Sequence, residues 1–296
     1  MSFTPKGIIP AMVTPLDEQR KLNKEAFRRF INYLIDGGMH GIFVSGTTGE
    51  FYGLSAGEKK EMFEIAVQEV NGRVPVYAGT GAITTKECIE LTSIAESCGV
   101  DAVSILTPMF ISPTQDELYE HYRRIAASTR LPVLLYNNLP KTGVTITPAT
   151  VQRLAEIDNI VGVKDSSGDF TLTSEYIRRS RNKNFSVLSG RDTLIHACLC
   201  YGGAGSIAAC ANIAPRICAD IYDKYVAGDI AGSLEAQFAI TPLRLAFTLG
   251  SFPTVIKEGL KMLGIDAGPC MGPIGPMSRE EKQELKKILT AMGLLS

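Results

Sequence analysis

Asn159-Ile160-Val161-Gly162-Val163-Lys164-Asp165-Ser166-Ser167-Gly168 reads as a short apolar strand that runs out into an amine and then a polar turn. The run from Ile160 to Val163 is too short for a helix, is rich in β-branched residues and is bounded by polar residues, so it reads as a buried strand. An amine held at the mouth of an apolar barrel is partly desolvated, which favours its neutral, nucleophilic form. A neutral lysine attacks a ketone to form a Schiff base. Alone, Lys164 is more simply read as a solvated surface charge, as most lysines are, and its surroundings in the chain decide between the two.

Outward from this strand, short apolar runs alternate with amphipathic stretches. Strands are expected at 7–13, 41–45, 74–78, 102–106, 132–136, 160–163, 185–188 and 205–209. Helices are expected between them, for example at 24–36, 56–70, 86–98 and 115–128; in the first, Phe27, Phe30, Ile31 and Leu34 recur at helical spacing. Eight strands each followed by a helix is the count of a TIM (β/α)8 barrel. A doubly wound open sheet usually has fewer units and a dinucleotide fingerprint after its first strand, which this chain lacks. Punctuation agrees: Asp36-Gly37-Gly38 and Ser97-Cys98-Gly99 close helices, while Thr147-Pro148 and Thr114-Gln115-Asp116-Glu117 open them.

The barrel, carrying the active site, is expected to occupy residues 1–225. Residues 226–296 read as a small C-terminal extension of three helices, at 230–249, 253–263 and 279–292, with a Gly/Pro-rich loop at 264–276. The chain of 296 residues is 45% hydrophobic with a net charge of -1, which marks an ordinary globular protein and gives no reason to expect nucleic acid or an anionic membrane as partner. The N-terminus has no signal-peptide core and no apolar run reaches spanning length, so cytoplasmic residence is the expectation. Seven cysteines, an odd number, do not suggest a disulfide framework. The only His/Cys cluster to weigh as a metal site is His196, Cys198 and Cys200. A helix there places His196 and Cys200 on one face and Cys198 well round it, and no CxxC pair completes a shell, so packing is the expected role. Neither a metal nor a cofactor is expected.

In a TIM barrel the chemistry gathers where strands finish. Strand two ends in Gly46-Thr47-Thr48-Gly49-Glu50, strand five in Tyr136-Asn137-Asn138, strand six in Lys164 and strand seven in Ser189-Gly190-Arg191-Asp192. An imine on Lys164 would act as an electron sink for a 2-oxo acid, Tyr136 is placed to move protons, and Thr47 and Thr48 are suited to a carboxylate. Each has a plainer reading. Gly46 to Gly49 is also a turn, Tyr136 also a barrel-top aromatic, and Gly190 also a left-handed residue before a helix. Phosphate binding at Ser189-Gly190 and Gly202-Gly203 is a rival use, but no basic cluster accompanies the second pair. A barrel kept as a sensor after losing catalysis would lack the amine or the phenol, and both are present.

The Gly46-Thr47-Thr48-Gly49-Glu50 loop, Tyr136-Asn137, Gly162-Val163-Lys164, Ser189-Gly190-x-Asp192 and Gly205-Ser206-Ile207 occur in one order along nearly the whole chain. In this the chain resembles the dihydrodipicolinate synthase / N-acetylneuraminate lyase family of Schiff-base aldolases. The resemblance implies that Lys164 forms the imine with pyruvate or another 2-oxo acid, that Tyr136 shuttles protons, and that Thr47 and Thr48 anchor the carboxylate, Thr47 also in a hydroxyl relay. It implies that Gly190 and Ile207 line the pocket, and that the protein is a homotetramer. Two positions depart from the family's synthases. Phe110 stands where a tyrosine is usual, and Lys141 where an arginine usually binds the aldehyde's carboxylate; lysine keeps the charge and loses the bidentate fork. Asp192 is open to two readings, a binder of sugar-acid hydroxyls or an N-cap for the next helix. The expected activity is cleavage or dehydration of a hydroxylated 2-oxo acid through Lys164. The alternative is a dihydrodipicolinate synthase that condenses pyruvate with aspartate semialdehyde.

Overall fold

A computed structural model describes residues 3–295. Eight parallel strands form one sheet in the order β1-β8-β7-β6-β5-β4-β3-β2. They are β1 (Gly7–Pro10), β2 (Ile42–Val44), β3 (Val76–Gly79), β4 (Ala102–Leu106), β5 (Val133–Asn137), β6 (Ile160–Asp165), β7 (Ser186–Ser189) and β8 (Gly205–Ala208). The first and last edges meet through an Ala11–Phe43 bridge and a bond from Met12 N–H to the Phe43 carbonyl at 3.0 Å, which closes the barrel. Every residue of the eight strands is buried, as expected where helices cover the outside and side chains fill the inside.

Alternate strand positions serve two cores. Ile9, Phe43, Tyr77, Leu134, Leu188 and Ile207 point inward and fill the barrel. The opposite faces pack on the helices α1 (Lys24–Asp36), α2 (Ala56–Val70), α3 (Thr85–Ser97), α4 (Gln115–Ala127), α5 (Leu139–Thr142), α6 (Pro148–Leu154), α7 (Phe170–Ser180), α8 (Ile195–Cys200) and α9 (Pro215–Val226). In α1 the side chains of Phe27, Phe30, Ile31 and Leu34 are buried, as the spacing requires. The start of α4 is a full capping box: Thr114 accepts from the Glu117 N–H, and the Glu117 carboxylate accepts from the Thr114 N–H. Gly38 and Gly99 take the left-handed conformation that ends α1 and α3.

The extension is α10 (Ile230–Ala246), α11 (Thr254–Met262) and α12 (Arg279–Ala291). On α10, Ser233, Ala236, Gln237, Ile240 and Leu243 are buried at helical spacing, so this helix has a face that packs inward. The expected strand boundaries shift by a few residues. The shift that bears on chemistry is in β6, which continues to Asp165, so Lys164 sits within the strand rather than after it.

Candidate active site

Register sets the centre of the site. Tyr136 on β5 pairs with Lys164 on β6, which pairs with Leu188 on β7. Partners in a parallel ladder send their side chains to the same face, so the amine and the phenol meet inside the barrel mouth. The Lys164 Nζ lies 4.1 Å from the centroid of the Tyr136 ring and 5.5 Å from that of Phe43. Both residues are 4% exposed. Behind them Asp165, also buried, accepts from Asn137 Nδ2 at 2.9 Å, Ser167 Oγ at 2.9 Å and Thr173 Oγ1 at 2.6 Å. Its charge is thereby satisfied by the scaffold, which fixes the end of β6.

The Tyr136 hydroxyl accepts from Asn138 Nδ2 at 2.8 Å and lies 3.5 Å from Thr47 Oγ1. Burial opposes ionisation of this phenol, but the Lys164 charge together with hydrogen bonds from Thr47, Ser166 and Lys164 outweighs it and holds the pKa below the ordinary tyrosine value. A phenol in this setting is readied to give up a proton and take it back.

Thr47 and Thr48 ride on a loop held at both ends. Thr14 Oγ1 donates to the Gly49 carbonyl at 2.6 Å. Glu50, which is fully buried, takes a left-handed backbone conformation, accepts from Met271 N–H, and has the Lys257 amine 2.7 Å from its Oε1. That contact is an ion pair without hydrogen-bond angles, and Lys257 Nζ also donates to the Pro269 carbonyl at 2.7 Å. The loop also needs Gly79 beneath it, where an added Cβ would come within 2.0 Å of the Ser45 carbonyl oxygen.

All eight expected site residues line one cavity of about 270 Å³: Lys164, Tyr136, Thr47, Thr48, Lys141, Gly190, Asp192 and Ile207. Two differ from their expected form. Gly190 has no positive φ; glycine is required because a Cβ would fall 2.0 Å from Ser166 Oγ. Asp192 is neither an N-cap nor a free acceptor for hydroxyls. It is 1% exposed, accepts from Cys210 N–H at 3.1 Å and pairs with Arg244 at 3.3 Å. Lys141 lies on the one-turn α5 and is exposed. Phe110 is not among the lining residues; it is 94% exposed, with φ +71°.

The sequence reading missed the far wall. Arg244, Phe247, Thr248 and Phe252 come from the extension; Arg191, Asn138 and Ser166, at strand ends already singled out, join them. Asn138 was available as a polar residue two places after the phenol. Arg244 had a fainter signal: Gln237 and Arg244, seven apart, share the face of α10 that otherwise packs inward through Ala236, Ile240 and Leu243. Among the described residues, no group of three or more His, Cys, Asp or Glu side chains could hold a metal. His196 Nδ1 lies 2.8 Å from Ser233 Oγ, and its Nε2 3.4 Å from Cys200 Sγ.

A buried amine beside a hydrogen-bonded phenol at the C-terminal mouth of a TIM barrel defines a lyase of the Schiff-base, class I aldolase type. Comparison with known proteins narrows the class. The model of the dihydrodipicolinate synthetase family matches residues 4–292. A 4-hydroxy-tetrahydrodipicolinate synthase of Methanothrix thermoacetophila is 39% identical, over 98% of this chain and 98% of its own. The enzyme of the same name from Thermodesulfovibrio yellowstonii is 39% identical over 98% of this chain and 99% of its own. A solved structure of the chloride-inhibited dihydrodipicolinate synthase of Acinetobacter baumannii, complexed with pyruvate, superposes with a TM-score of 0.95 at 33% identity, covering 99% of this chain and all of that one. The chain belongs to the dihydrodipicolinate synthetase family. Among the described residues no helix is long and apolar enough to cross a membrane.

Proposed function

We propose that the enzyme condenses pyruvate with aspartate semialdehyde through an imine on Lys164, the activity its relatives' names carry. The observation that supports it is the Lys164 amine 4.1 Å from the Tyr136 ring in a cavity of about 270 Å³. That volume lies at the small end of ligand cavities, roughly 300–1,000 Å³, and suits a three-carbon and a four-carbon reactant. One support of the expected preference for a hydroxylated acid weakens, because Asp192, a candidate hydroxyl binder, is engaged by Arg244 and Cys210.

In this reading Lys164 adds to C2 of pyruvate, and loss of water leaves the imine. A proton leaves C3 to give the enamine, whose C3 then bonds to the aldehyde carbon as the aldehyde oxygen takes up a proton. The reactant's own amine then adds to the imine carbon and displaces Lys164, which takes up the proton that amine loses and frees the product. Tyr136 carries protons in and out of these steps, relayed by Thr47 and oriented by Asn138. Thr47 and Thr48 hold the pyruvate carboxylate, Gly190 and Ile207 shape its seat, and Lys141 stands at the mouth. With phenylalanine at position 110, the chain's own relay has two hydroxyls, Thr47 and Tyr136.

The test is borohydride reduction in the presence of pyruvate followed by peptide mass analysis, together with a coupled assay on aspartate semialdehyde. The expected result is one adduct, on Lys164, lost in Lys164→Ala, and turnover of roughly 1 to 1,000 per second. A folded protein that forms no adduct removes the imine; an adduct without turnover of this aldehyde removes the condensation. We also infer a homotetramer in a reducing cytoplasm. The exposed apolar face of α10, formed by Ile230, Leu234, Phe238 and Leu245, and the seven free cysteines support this, and sedimentation velocity tests the tetramer.

A further inference from the structure

The cavity carries an unbalanced charge. Lys141, Lys164, Arg191 and Arg244 line it, against the single carboxylate of Asp192. Lys164 is committed to the imine in the reading above, and Thr47 and Thr48 to the pyruvate carboxylate. Three cations remain for something else. Arg191 feels the crowding: burial first, then the neighbouring Arg244 charge, hold its pKa below the ordinary arginine value despite Asp192 and Asp165. Two guanidiniums within reach of one another in a half-closed cavity are relieved by an anion between them.

Arg244 is the better built of the pair. Gln237, two turns earlier on α10, donates through Nε2 to the Asp192 carbonyl at 2.8 Å, and Arg244 approaches the Asp192 carboxylate. One face of one helix therefore grips the main chain and the side chain of the same residue. The closest approach is through Nε at 3.3 Å, and the guanidinium carbon sits 5.3 Å from the Phe247 ring centroid. Arg244 also lines the cavity and stays 21% exposed, so the guanidinium is held by Asp192 without being enclosed.

We propose that Arg244, flanked by Arg191, is the residue that binds the distal carboxylate of the aldehyde reactant, with Asp192 as its positioning partner. The resemblance places that task on position 141, but Lys141 is exposed, on a single helical turn, and has only a point charge to offer. Arg244 is pre-oriented by a buried carboxylate and a ring, which lowers the cost of ordering it on binding. The specificity element thus comes from the C-terminal extension, whereas the reacting groups come from the barrel. This inference rests on the function proposed above.

Steady-state kinetics separate the two. In Arg244→Gln the KM for aspartate semialdehyde should rise roughly 10- to 100-fold, the loss of a charge-assisted hydrogen bond. The pyruvate concentration that half-saturates borohydride-trapped adduct on Lys164 should move by less than about twofold. Arg244→Lys should recover part of the aldehyde KM. If Arg244→Gln fails to fold, Arg191→Gln, which leaves the Asp192 pair intact, should raise the same KM. A wild type without turnover of this aldehyde tells against the proposed function. A wild type with turnover and a variant whose aldehyde KM does not move, or whose pyruvate half-saturation rises equally, overturns the assignment of Arg244.

Discussion

Two carboxylate–cation pairs tie the barrel to the C-terminal extension, and they are built differently. Glu50–Lys257 is buried at both ends: the side chains are 0% and 4% exposed, Glu50 also accepts from Met271 N–H, and Lys257 donates to the Pro269 carbonyl. Asp192–Arg244 is buried at one end only, with the carboxylate 1% exposed and the arginine 21%. The first pair spends its contacts on the scaffold and holds the Thr47-Thr48 loop in place. The second borders the cavity and leaves its guanidinium partly exposed. Burial of both partners therefore marks a clamp, and burial of one marks a clamp that also presents a charge to a ligand.

The sharpest way to break this contrast is Lys257→Met. Stranding a fully buried Glu50 charge should destabilise the protein by about 3–5 kcal/mol, read as a lower urea midpoint at unchanged slope. Adding Glu50→Gln should give part of it back. A loss no larger than that of a surface ion pair would mean that this pair behaves as an exposed one. Arg244→Met should cost less, about 1–3 kcal/mol, because the Asp192 left behind borders the cavity and keeps the Cys210 N–H at 3.1 Å. Equal losses for the two variants would erase the distinction.

The smallest effect is on pH. Burial holds the Asp192 carboxyl above its ordinary value of 3.8, with Arg244 and the Cys210 N–H pulling it down without cancelling the burial. The folded state therefore binds this proton more readily than the unfolded state. From pH 3.8 up to the raised value the folded protein holds more protons, so this group's contribution to stability falls as pH rises and is flat above. Asp192→Asn should lose that slope and Arg244→Met should extend it to higher pH. Urea midpoints across the acid range that fall identically in wild type and Asp192→Asn would show that the pair carries no such linkage.

The same contrast explains what could be read from the sequence. Lys164 and Tyr136 were legible because each ends a short apolar run, and strand pairing in a barrel brings strand ends together without further information. The capping box at Thr114 and the glycines after α1 and α3 are equally local. Asp192 was visible as a polar residue after β7, but its partner stands on a helix of the extension, and no local pattern joins them. The extension therefore read as an appendage, although it supplies Arg244, Phe247, Thr248 and Phe252 to the cavity. The two departures at Phe110 and Lys141 pointed toward cleavage; Arg244 also lines the cavity, and if it binds the aldehyde's carboxylate as proposed, half of that argument falls.

The buried clamp also has a consequence in time. Glu50 and Met271, bonded in the finished protein, are separated by 221 positions, and a ribosome delivers them in that order. The strands of the mouth emerge long before α11 and the loop that follows it. Throughout that interval the Glu50 carboxylate has neither its amine nor its N–H donor and must stay in water, keeping the Thr47-Thr48 loop open. Lys164 is thus synthesised before the clamp that holds the Thr47-Thr48 loop can form, and that clamp waits for α11 and the loop after it.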